Sequence, residues 1–533
     1  MQDLRFAASD GRTLGALLYL PPPATPERRA PAVLLVHTYL ASREAQSGLS
    51  IELARRGYVV LAIDQPGHGY SDPPAVTIGL GGPDGLRFLR SLAMVDPARI
   101  GLAGNGLGGA AVLWAADAWP DQYQAMVLDG SAPGAAGTPE GTPTFPRNLA
   151  LIYSRYDTFS RPLWGIEYAT DIGRSEKLAK LFGLHKGAAI GQVYGDPTTG
   201  LARVLFSPAI LNAAAPISPQ AIANAVGWFD RVLQPGVVSN PDNQVWLWHA
   251  AGSAASLIGL MVLLLGSFEL LLLMPALAAF AVSPDSGLTR RDWRWFLDAI
   301  LTSWVPVMTF FAFLGLGAAW VPAGPIFHQG ITNQIQVWML LNAAIGLGVG
   351  RLLGSDHATT GGRSGLAFIS AFASVALCMT VAILVAHGFT VDFRLWVVAL
   401  KPLNLPRFGL FLVYLPGFTL AFAIILHRLN TGLSIQRDHA VAHYISNIGA
   451  LAGGLVIFLA VQYGTLLSTG QLLTWTQPAN ISLAVQLLPV MVAVAVIGTF
   501  TWRRTGNALV GGLIAGGMVT WYFVASQATH ISW

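Results

Sequence analysis

The sequence predicts an α/β domain with a mostly parallel sheet and flanking helices, followed by an all-α polytopic transmembrane bundle. Residues 1–238 alternate short apolar strands with amphipathic segments, which is the pattern of a parallel sheet covered by helices. Residues 250–533 consist mainly of apolar runs long enough to cross a hydrocarbon core of roughly 30 Å. The polar stretch 239–249 is expected to link the two domains.

The composition indicates a membrane protein. Hydrophobic residues make up 53% and charged residues 11% of the 533 residues, whereas soluble domains carry roughly 25% charged residues. The mean hydropathy is +0.54. The basic residues lie mostly in loops between apolar runs, so the net charge of +4 points to membrane orientation rather than to nucleic acid. The single cysteine, Cys378, excludes disulfides and cysteine-based metal sites.

The first domain is predicted from apolar runs, turn residues and helix caps. Ser218 and Pro219 are placed to begin its last helix. The predicted strands are 13–20, 32–37, 58–64, 99–103, 125–129 and 148–153, and the predicted helices are 49–56, 82–92, 107–116 and 217–233.

One glycine-rich turn carries the strongest functional signal. The stretch Arg99–Ala110 reads R-I-G-L-A-G-N-G-L-G-G-A, an apolar strand followed by a tight turn and a helix of small residues. This is the context of a G-x-S-x-G nucleophile elbow, and Gly106 stands at the serine position. Glycine tolerates the strained turn but provides no nucleophile. The same run lacks the acidic ribose partner of a dinucleotide site.

Four motifs occur in a recognisable order: the strand that ends at His37, D-Q-P-G-H-G-Y-S-D from Asp64, G-G-P-D-G-L-R-F-L-R-S-L from Gly81, and the elbow. Together they resemble the α/β-hydrolase superfamily, in particular bacterial membrane-bound members in which a hydrolase domain precedes a polytopic region. The resemblance covers nearly all of residues 1–238 and says much less about residues 250–533.

The resemblance implies a catalytic triad, which we assign position by position. The serine position is Gly106, and the acid position matches Asp157 in I-Y-S-R-Y-D. The histidine is expected in the window 204–218, which contains none, and Asn212 is the best match for its position. Because serine attack needs a base and the base needs an acid, Asp157 alone cannot perform it.

The resemblance also implies an oxyanion site. Its donors would be the backbone N–H groups of Leu107 and of Thr38 or Tyr39, although family members often have glycine where Thr38 stands. Such donors could hold a carbonyl or carboxylate ligand without a nucleophile.

Three further side chains are candidates for the pocket mouth. His37, His68 and Ser131 could cluster there with Tyr39 and supply a substitute base or nucleophile. The alternative is that His37 and His68 are structural and bond to loop backbone.

The second domain is predicted to contain about eight membrane-spanning helices. A shorter amphipathic piece, 394–405, is expected to be interfacial. Pairs of small residues that permit close helix packing are Gly346/Gly350, Gly449/Gly453 and Gly512/Gly516. The predicted spans are 250–274, 295–320, 333–352, 365–387, 407–427, 440–464, 481–501 and 506–526.

Loop charges predict the orientation of the spans. Basic residues follow the odd-numbered spans: Arg290, Arg291, Arg294, Arg351, Arg363, Arg428, Arg437, Arg503 and Arg504. The loops 321–332 and 466–480 carry none, and only Arg394, Lys401 and Arg407 depart from the pattern. By the positive-inside rule the first domain is extracytoplasmic. Since residues 1–12 carry no export signal, we expect a native start upstream or a removed leader.

These observations predict a membrane-integral pseudohydrolase that binds a small acyl or peptide ligand or a protein partner in a membrane complex, without a cofactor. The alternatives are an ester or peptide hydrolase with a displaced nucleophile, and a transporter whose cavity is lined by Glu269 and Asn342. His439 and His443, spaced i and i+4, are weak candidates for a metal site beside a plainer interfacial role.

Overall fold

Nine strands of the N-terminal region form one sheet in the computed structural model. Across the sheet their order is β1-β2-β4-β3-β5-β6-β7-β9-β8, with parallel pairing from β4 to β9 and antiparallel pairing for β1, β2 and β8. The predicted mostly parallel sheet is therefore confirmed. In chain order the strands are β1 (Gln2–Ala7), β2 (Thr13–Tyr19), β3 (Ala30–Val36), β4 (Val59–Ile63), β5 (Val95–Asn105), β6 (Ala125–Asp129), β7 (Leu149–Ile152), β8 (Val193–Tyr194) and β9 (Arg203–Phe206).

Helices cover both faces of this sheet and bury a core on each. One core contains apolar residues of α2, α3 and α5, and the other contains those of α1 and α6. The side chain of Ser218 accepts a hydrogen bond from the Ala221 N–H at 3.2 Å and so caps α6. The helices are α1 (Ser47–Arg55), α2 (Gly82–Ser91), α3 (Leu107–Ala118), α4 (Ser160–Trp164), α5 (Glu176–Phe182) and α6 (Pro219–Leu233).

The structure describes residues 1–22, 24–235, 239–278, 280–281, 292–354, 364–389, 391, 393–396, 398–433 and 439–532. They divide into two units. The sheet unit comprises Met1–Gly252, Tyr463–Pro478 and Ala528–Trp533, and the bundle unit comprises Ser253–Gln462 and Ala479–Gln527. The sequence predicts that residues 250–533 form the second domain. Tyr463–Pro478 and Ala528–Trp533 group with the sheet unit, and the domain boundaries stay a prediction. Arg290, Arg291, Arg363 and Arg437 lie outside the described residues.

The remaining chain is helical apart from one short antiparallel ladder, β10 (Arg394–Leu395) with β11 (Val398–Ala399), in the piece predicted to be interfacial. In the described ranges, seven helices are long and apolar enough to cross a membrane, and the pair α9/α10, bent by 55°, makes an eighth if it is one span. The helices are α7 (Trp246–Leu272), α8 (Pro275–Ala278), α9 (Trp293–Met308), α10 (Phe310–Trp320), α11 (Gly330–Leu353), α12 (Ser364–Phe389), α13 (Leu405–Arg428), α14 (Ala440–Thr469), α15 (Pro478–Thr505) and α16 (Ala508–Ser526).

The small-residue pairs differ in what they contact. A Cβ added at Gly512 or Gly516 would lie 2.6 or 2.7 Å from the Cα of Ala423 or Thr419, so this pair brings α16 against α13 as predicted. At Gly449 nothing lies within 4 Å. The close approach on that helix occurs instead next to Gly453, where Gly454 meets a backbone carbonyl of α9.

Candidate functional site

The predicted elbow has the backbone of a strained strand-to-helix turn. β5 ends at Asn105, Gly106 adopts φ +52° and ψ −118°, and α3 begins at Leu107. The Gly106 N–H donates to the Asp129 carbonyl at 2.9 Å, and the Gly109 N–H donates to the Gly106 carbonyl at 3.0 Å. A side-chain-bearing residue adopts this conformation only at a cost, so glycine relaxes the turn while removing the nucleophile.

Thr38 fills the space above Gly106. A Cβ added at Gly106 would lie closer than 3.0 Å to the Thr38 hydroxyl oxygen and 3.1 Å from the Thr38 Cβ. Real Cβ atoms do not approach that closely, so any side chain at position 106 would require Thr38 to move. The glycine at position 106 and the Thr38 side chain in the loop after β3 are therefore sterically matched.

The expected oxyanion residues surround this point. Thr38 and Tyr39 follow β3, Leu107 is the first residue of α3, and all three are partly exposed, as is Gly106. Burial raises the pKa of the Tyr39 phenol to about 12, so Tyr39 is a neutral hydrogen-bonding group at physiological pH.

His37 has a structural role. It is fully buried, its Nδ1 donates to the Thr38 carbonyl at 2.7 Å, and its Nε2 accepts from the Gln65 N–H at 3.0 Å. These two bonds require the neutral tautomer with the proton on Nδ1. His37 thus ties together the loops after β3 and β4, and the expectation that it stands at a pocket mouth is corrected.

His68 and Ser131 are also interior residues, 1% and 3% exposed. The Nδ1 of His68 donates to the Pro66 carbonyl at 3.0 Å, and its ring packs edge-on against His37 at 5.3 Å. The hydroxyl of Ser131 lies where a Cβ at Gly109 would stand, so Ser131 packs under α3. Neither residue stands at the mouth of a pocket, as the sequence had suggested.

Asp157 lies after β7, where the resemblance predicts the acid. Its carboxylate accepts the Phe159 N–H at 2.7 Å and the Tyr153 hydroxyl. Burial raises the pKa of Asp157 to about 7 despite these two bonds, because desolvation penalises the charged form more than they stabilise it.

A second carboxylate, which sequence reasoning missed, lies at the end of β6. Asn105 Nδ2 donates to Asp129 Oδ2 at 3.0 Å, and the other oxygen, Oδ1, has no hydrogen-bond partner in the described part of the chain. Burial and the nearby charge of Asp157 raise the pKa of Asp129 to about 7. The sequence did contain a signal for Asp129, which ends the apolar run A-M-V-L-D. The carboxyl ends of adjacent parallel strands meet at one edge of a sheet, so an acid at the end of β6 lies near the loop after β7.

Asn212, the residue assigned to the histidine position, begins the turn Asn212–Ile217 after β9. The acid loop runs beside this segment, since the Tyr156 N–H donates to the Ile210 carbonyl at 3.2 Å. Within the described residues no hydrogen bond joins Asn212 to Asp157. Asn212 therefore stands near the expected position without orienting the acid.

Comparison with known proteins agrees with this geometry. Residues 31–158, from β3 to the acid, match a family model described as alpha/beta hydrolase fold. The sheet unit has the α/β-hydrolase fold. Its C-terminal neighbour is an all-helical region with seven candidate apolar spans among the described residues.

Solved structures that match include the three named here, and this chain spans less than half the length of each. No curated protein matches the chain. The α/β hydrolase GrgF from a Penicillium species is 23% identical over 27% of this chain and 47% of its own, with a TM-score of 0.22. An esterase from a Rhodococcus species is 20% identical over 25% of this chain and 46% of its own, with a TM-score of 0.21. A thermostable carboxyl esterase from Bacillus coagulans, in complex with glycerol, is 18% identical over 25% of this chain and 44% of its own, with a TM-score of 0.22.

The far end of the chain contributes a histidine to the hydrolase fold. The Thr529 N–H donates to the Gly67 carbonyl at 2.9 Å, and the Thr529 carbonyl accepts the Ala75 N–H at 2.8 Å. The next residue, His530, places its Nε2 2.9 Å from the Tyr39 hydroxyl, 491 positions away in the sequence. Nothing in the local sequence pattern of the tail indicated this contact.

The remaining candidates lie in the bundle unit. His439 is exposed and His443 is buried, and in the described ranges no group of three or more His, Cys, Asp or Glu side chains could hold a metal ion. Glu269 forms an ion pair with Arg504 at 2.6 Å. Asn342 accepts from the Thr309 hydroxyl at 3.1 Å.

The two carboxylates of the hydrolase fold predict a pH dependence of stability. A carboxyl whose pKa is about 7 in the folded chain and near 3.8 when unfolded binds its proton more tightly in the folded state. The free energy of unfolding should therefore fall as pH rises from about 4 to about 7, by about 1 to 4 kcal/mol in total.

The measurement is thermal unfolding of the purified full chain at pH 5 and pH 8. We expect a lower unfolding temperature at pH 8, and a smaller decrease in Asp129→Asn and Asp157→Asn. The exposed Asp121→Asn is the matched control and should behave as the parent. An equal decrease in all four proteins would contradict the assignment.

The Tyr39–His530 contact predicts energetic coupling between two distant positions. An intramolecular hydrogen bond typically contributes about 0.5–1.5 kcal/mol to stability. In a double-mutant cycle of Tyr39→Phe and His530→Ala, the unfolding free energies should deviate from additivity by this amount. A cycle with the exposed His185→Ala in place of His530→Ala should be additive, and additivity in both cycles would count against the contact.

Proposed function

We propose that the protein is a multi-pass membrane pseudohydrolase whose hydrolase-fold domain binds a ligand without cleaving it. The observation that carries this proposal is the Thr38 hydroxyl lying where the side chain of a nucleophile at position 106 would stand. A serine there would collide with Thr38, so the loop after β3 fits an elbow without a nucleophile.

The acid of the site supports the same proposal. In a serine hydrolase an ionised carboxylate orients and stabilises the catalytic imidazole. Asp157 is bonded instead to Phe159 and Tyr153, and its pKa of about 7 leaves it only partly ionised at neutral pH. Those two bonds and its burial fit a fold-stabilising role.

The ligand chemistry follows from the donors that remain. The backbone N–H groups of Leu107 and of Thr38 or Tyr39 are the oxyanion donors of the fold, and the Tyr39 phenol adds a neutral polar group beside them. Such donors bind a carbonyl or carboxylate oxygen. A small acyl or peptide ligand, or the carboxylate of a protein partner, fits this chemistry.

A displaced nucleophile is the second candidate, and two contacts favour it. The Thr38 hydroxyl lies at the elbow, and the Tyr39 hydroxyl is paired with the imidazole of His530. Threonine would serve as the nucleophile, because its hydroxyl lies at the position of the elbow where a nucleophile stands in this fold.

The proposals separate in an esterase assay with p-nitrophenyl butyrate and in labelling with a fluorophosphonate. We expect no turnover or labelling above background in the parent chain, and no change in Thr38→Ala or His530→Ala. Turnover in the parent that falls about tenfold or more in Thr38→Ala, with the exposed Thr144→Ala unaffected, would establish the second candidate.

The steric contact offers a further test. Gly106→Ser should lower the unfolding temperature of the parent chain more than that of Thr38→Gly, because removing the threonine side chain clears the space above position 106. An equal decrease in the two backgrounds would contradict the contact.

We propose that the sheet unit is extracytoplasmic. The three basic residues that depart from the positive-inside pattern are largely buried, with exposures of 9% for Arg394, 6% for Lys401 and 3% for Arg407. Arg407 donates to the carbonyls of Val524 and Ala525 at 3.1 and 3.0 Å, at the end of α16. Their role in packing accounts for their presence in that loop, and the other arginines then decide the orientation.

Orientation can be tested with Thr198→Cys, an exposed position of the sheet unit, because the native Cys378 is buried. We expect a membrane-impermeant maleimide to label the variant in intact cells. The parent chain is the control for background labelling. Labelling that occurs only in permeabilised cells would show that the sheet unit is cytoplasmic and would contradict the proposal.

The bundle is proposed to anchor the domain or to join it to a membrane complex. A transporter remains the third candidate: Asn342 lines a cavity in the bundle, whereas Glu269 pairs with Arg504 and does not line it.

A further inference from the structure

The break between α9 and α10 leaves polar groups inside the bundle unit. Pro306 has no N–H, so the carbonyl of Thr302, four residues earlier, loses its helical hydrogen bond. The Thr302 hydroxyl is buried and has no hydrogen-bond partner in the described residues. The Pro306 carbonyl accepts the Trp338 indole N–H at 3.0 Å. Broken transmembrane helices of this kind commonly border binding sites.

A cavity of about 70 Å³ lies beside this break. It is bounded by α9, α11, α13, α14 and α15, and its apolar walls include Trp338, Phe422 and Leu455. Four polar side chains also line it: Thr302, Ser303, Asn342 and Arg428. A cavity between helices that is apolar on its walls and cationic at one end suits an amphiphile.

Arg428 supplies the charge. It is the last residue of α13, its side chain is 7% exposed, and its Nη2 donates to the buried carboxylate of Asp298. Among the contacts of the described residues this is the one hydrogen bond of its guanidinium, which has five N–H donors. The other donors therefore remain for a ligand in the cavity.

Two glycines make room for the guanidinium. A Cβ at Gly346 would lie 2.7 Å from Arg428 Nη1, and a Cβ at Gly350 would lie 2.7 Å from Arg428 Nε. The sequence had assigned this pair to close helix packing. The structure corrects that interpretation, because the two positions accommodate a side chain at the edge of the cavity.

We propose that this cavity binds the anionic head group of a membrane lipid, whose phosphate or carboxylate contacts Arg428 while its acyl chains stay outside the cavity in the bilayer. The guanidinium fork matches the geometry of either anion. Arg428 lies in the last part of the apolar span Leu405–Leu433, and a long arginine side chain there can reach toward the depth where lipid head groups lie. The proposal does not depend on the function assigned to the hydrolase fold.

The test is native mass spectrometry of the full chain after reconstitution with equal amounts of phosphatidylglycerol and phosphatidylcholine. We expect the parent chain to retain phosphatidylglycerol over phosphatidylcholine by about tenfold, the effect of one charge-assisted hydrogen bond. The double variant Asp298→Asn with Arg428→Gln keeps the shape of the pair without its charges and should lose this preference.

A matched pair of glycine variants gives a test that leaves the ion pair chemically intact. Gly350→Ala displaces the guanidinium and should reduce the preference for phosphatidylglycerol. Gly348→Ala, on the same helix with nothing within 4 Å, should leave it unchanged. This pair decides the question if the double variant does not fold.

Three outcomes would overturn the proposal. These are equal retention of the two lipids by the parent chain, an unchanged preference in a folded double variant, and equal behaviour of the two glycine variants. Thermal stabilisation by inorganic phosphate as large as that by phosphatidylglycerol would overturn the assignment to a lipid.

Discussion

The hydrolase fold depends on the direct contact of α3 with the two central strands. A Cβ at Gly104 would meet the carbonyl of Gly108, and one at Gly108 would meet the carbonyl of Val36, both closer than 3.0 Å. Because no side chain separates helix from sheet here, the elbow and the loop after β3 are pressed together. That proximity aligns the backbone donors of the site, and it also lets the Thr38 hydroxyl occupy the place above Gly106.

Local patterns in the sequence predicted most of the fold. The central strands, the elbow and the seven candidate spans among the described residues follow from apolar runs and glycine spacing, and β6 occupies the predicted range 125–129. Asp157 required the family resemblance, since nothing in its own surroundings marks an acid. The contacts that could not be predicted join residues far apart in sequence. They are the Thr38 hydroxyl over Gly106, the carboxylate of Asp129 near Asp157, and the Arg428 side chain packed against Gly346 and Gly350.

The two units illustrate different ways of accommodating buried charge. In the sheet unit, Asp129 and Asp157 have no buried cation among their described partners, and burial raises both pKa values toward neutrality. In the bundle unit, Asp298 pairs with Arg428, as expected where an isolated charge would be far more costly. Carboxyl groups that titrate near neutrality, such as Asp129 and Asp157, and a buried guanidinium with donors facing a cavity, as proposed for Arg428, are both unusual for residues with a purely structural role.

The placement of Thr529 and His530 on the loops after β3 and β4 has a consequence for biosynthesis. The ribosome completes residues 1–252 well before it reaches this tail, by roughly 15 seconds to a minute at ordinary elongation rates. During that interval the nascent domain lacks the His530 imidazole, and the Gly67 carbonyl and the Ala75 N–H have not yet formed their hydrogen bonds to Thr529. The sheet unit therefore acquires its full set of contacts only after the helical region between residue 252 and residue 528 has been synthesised.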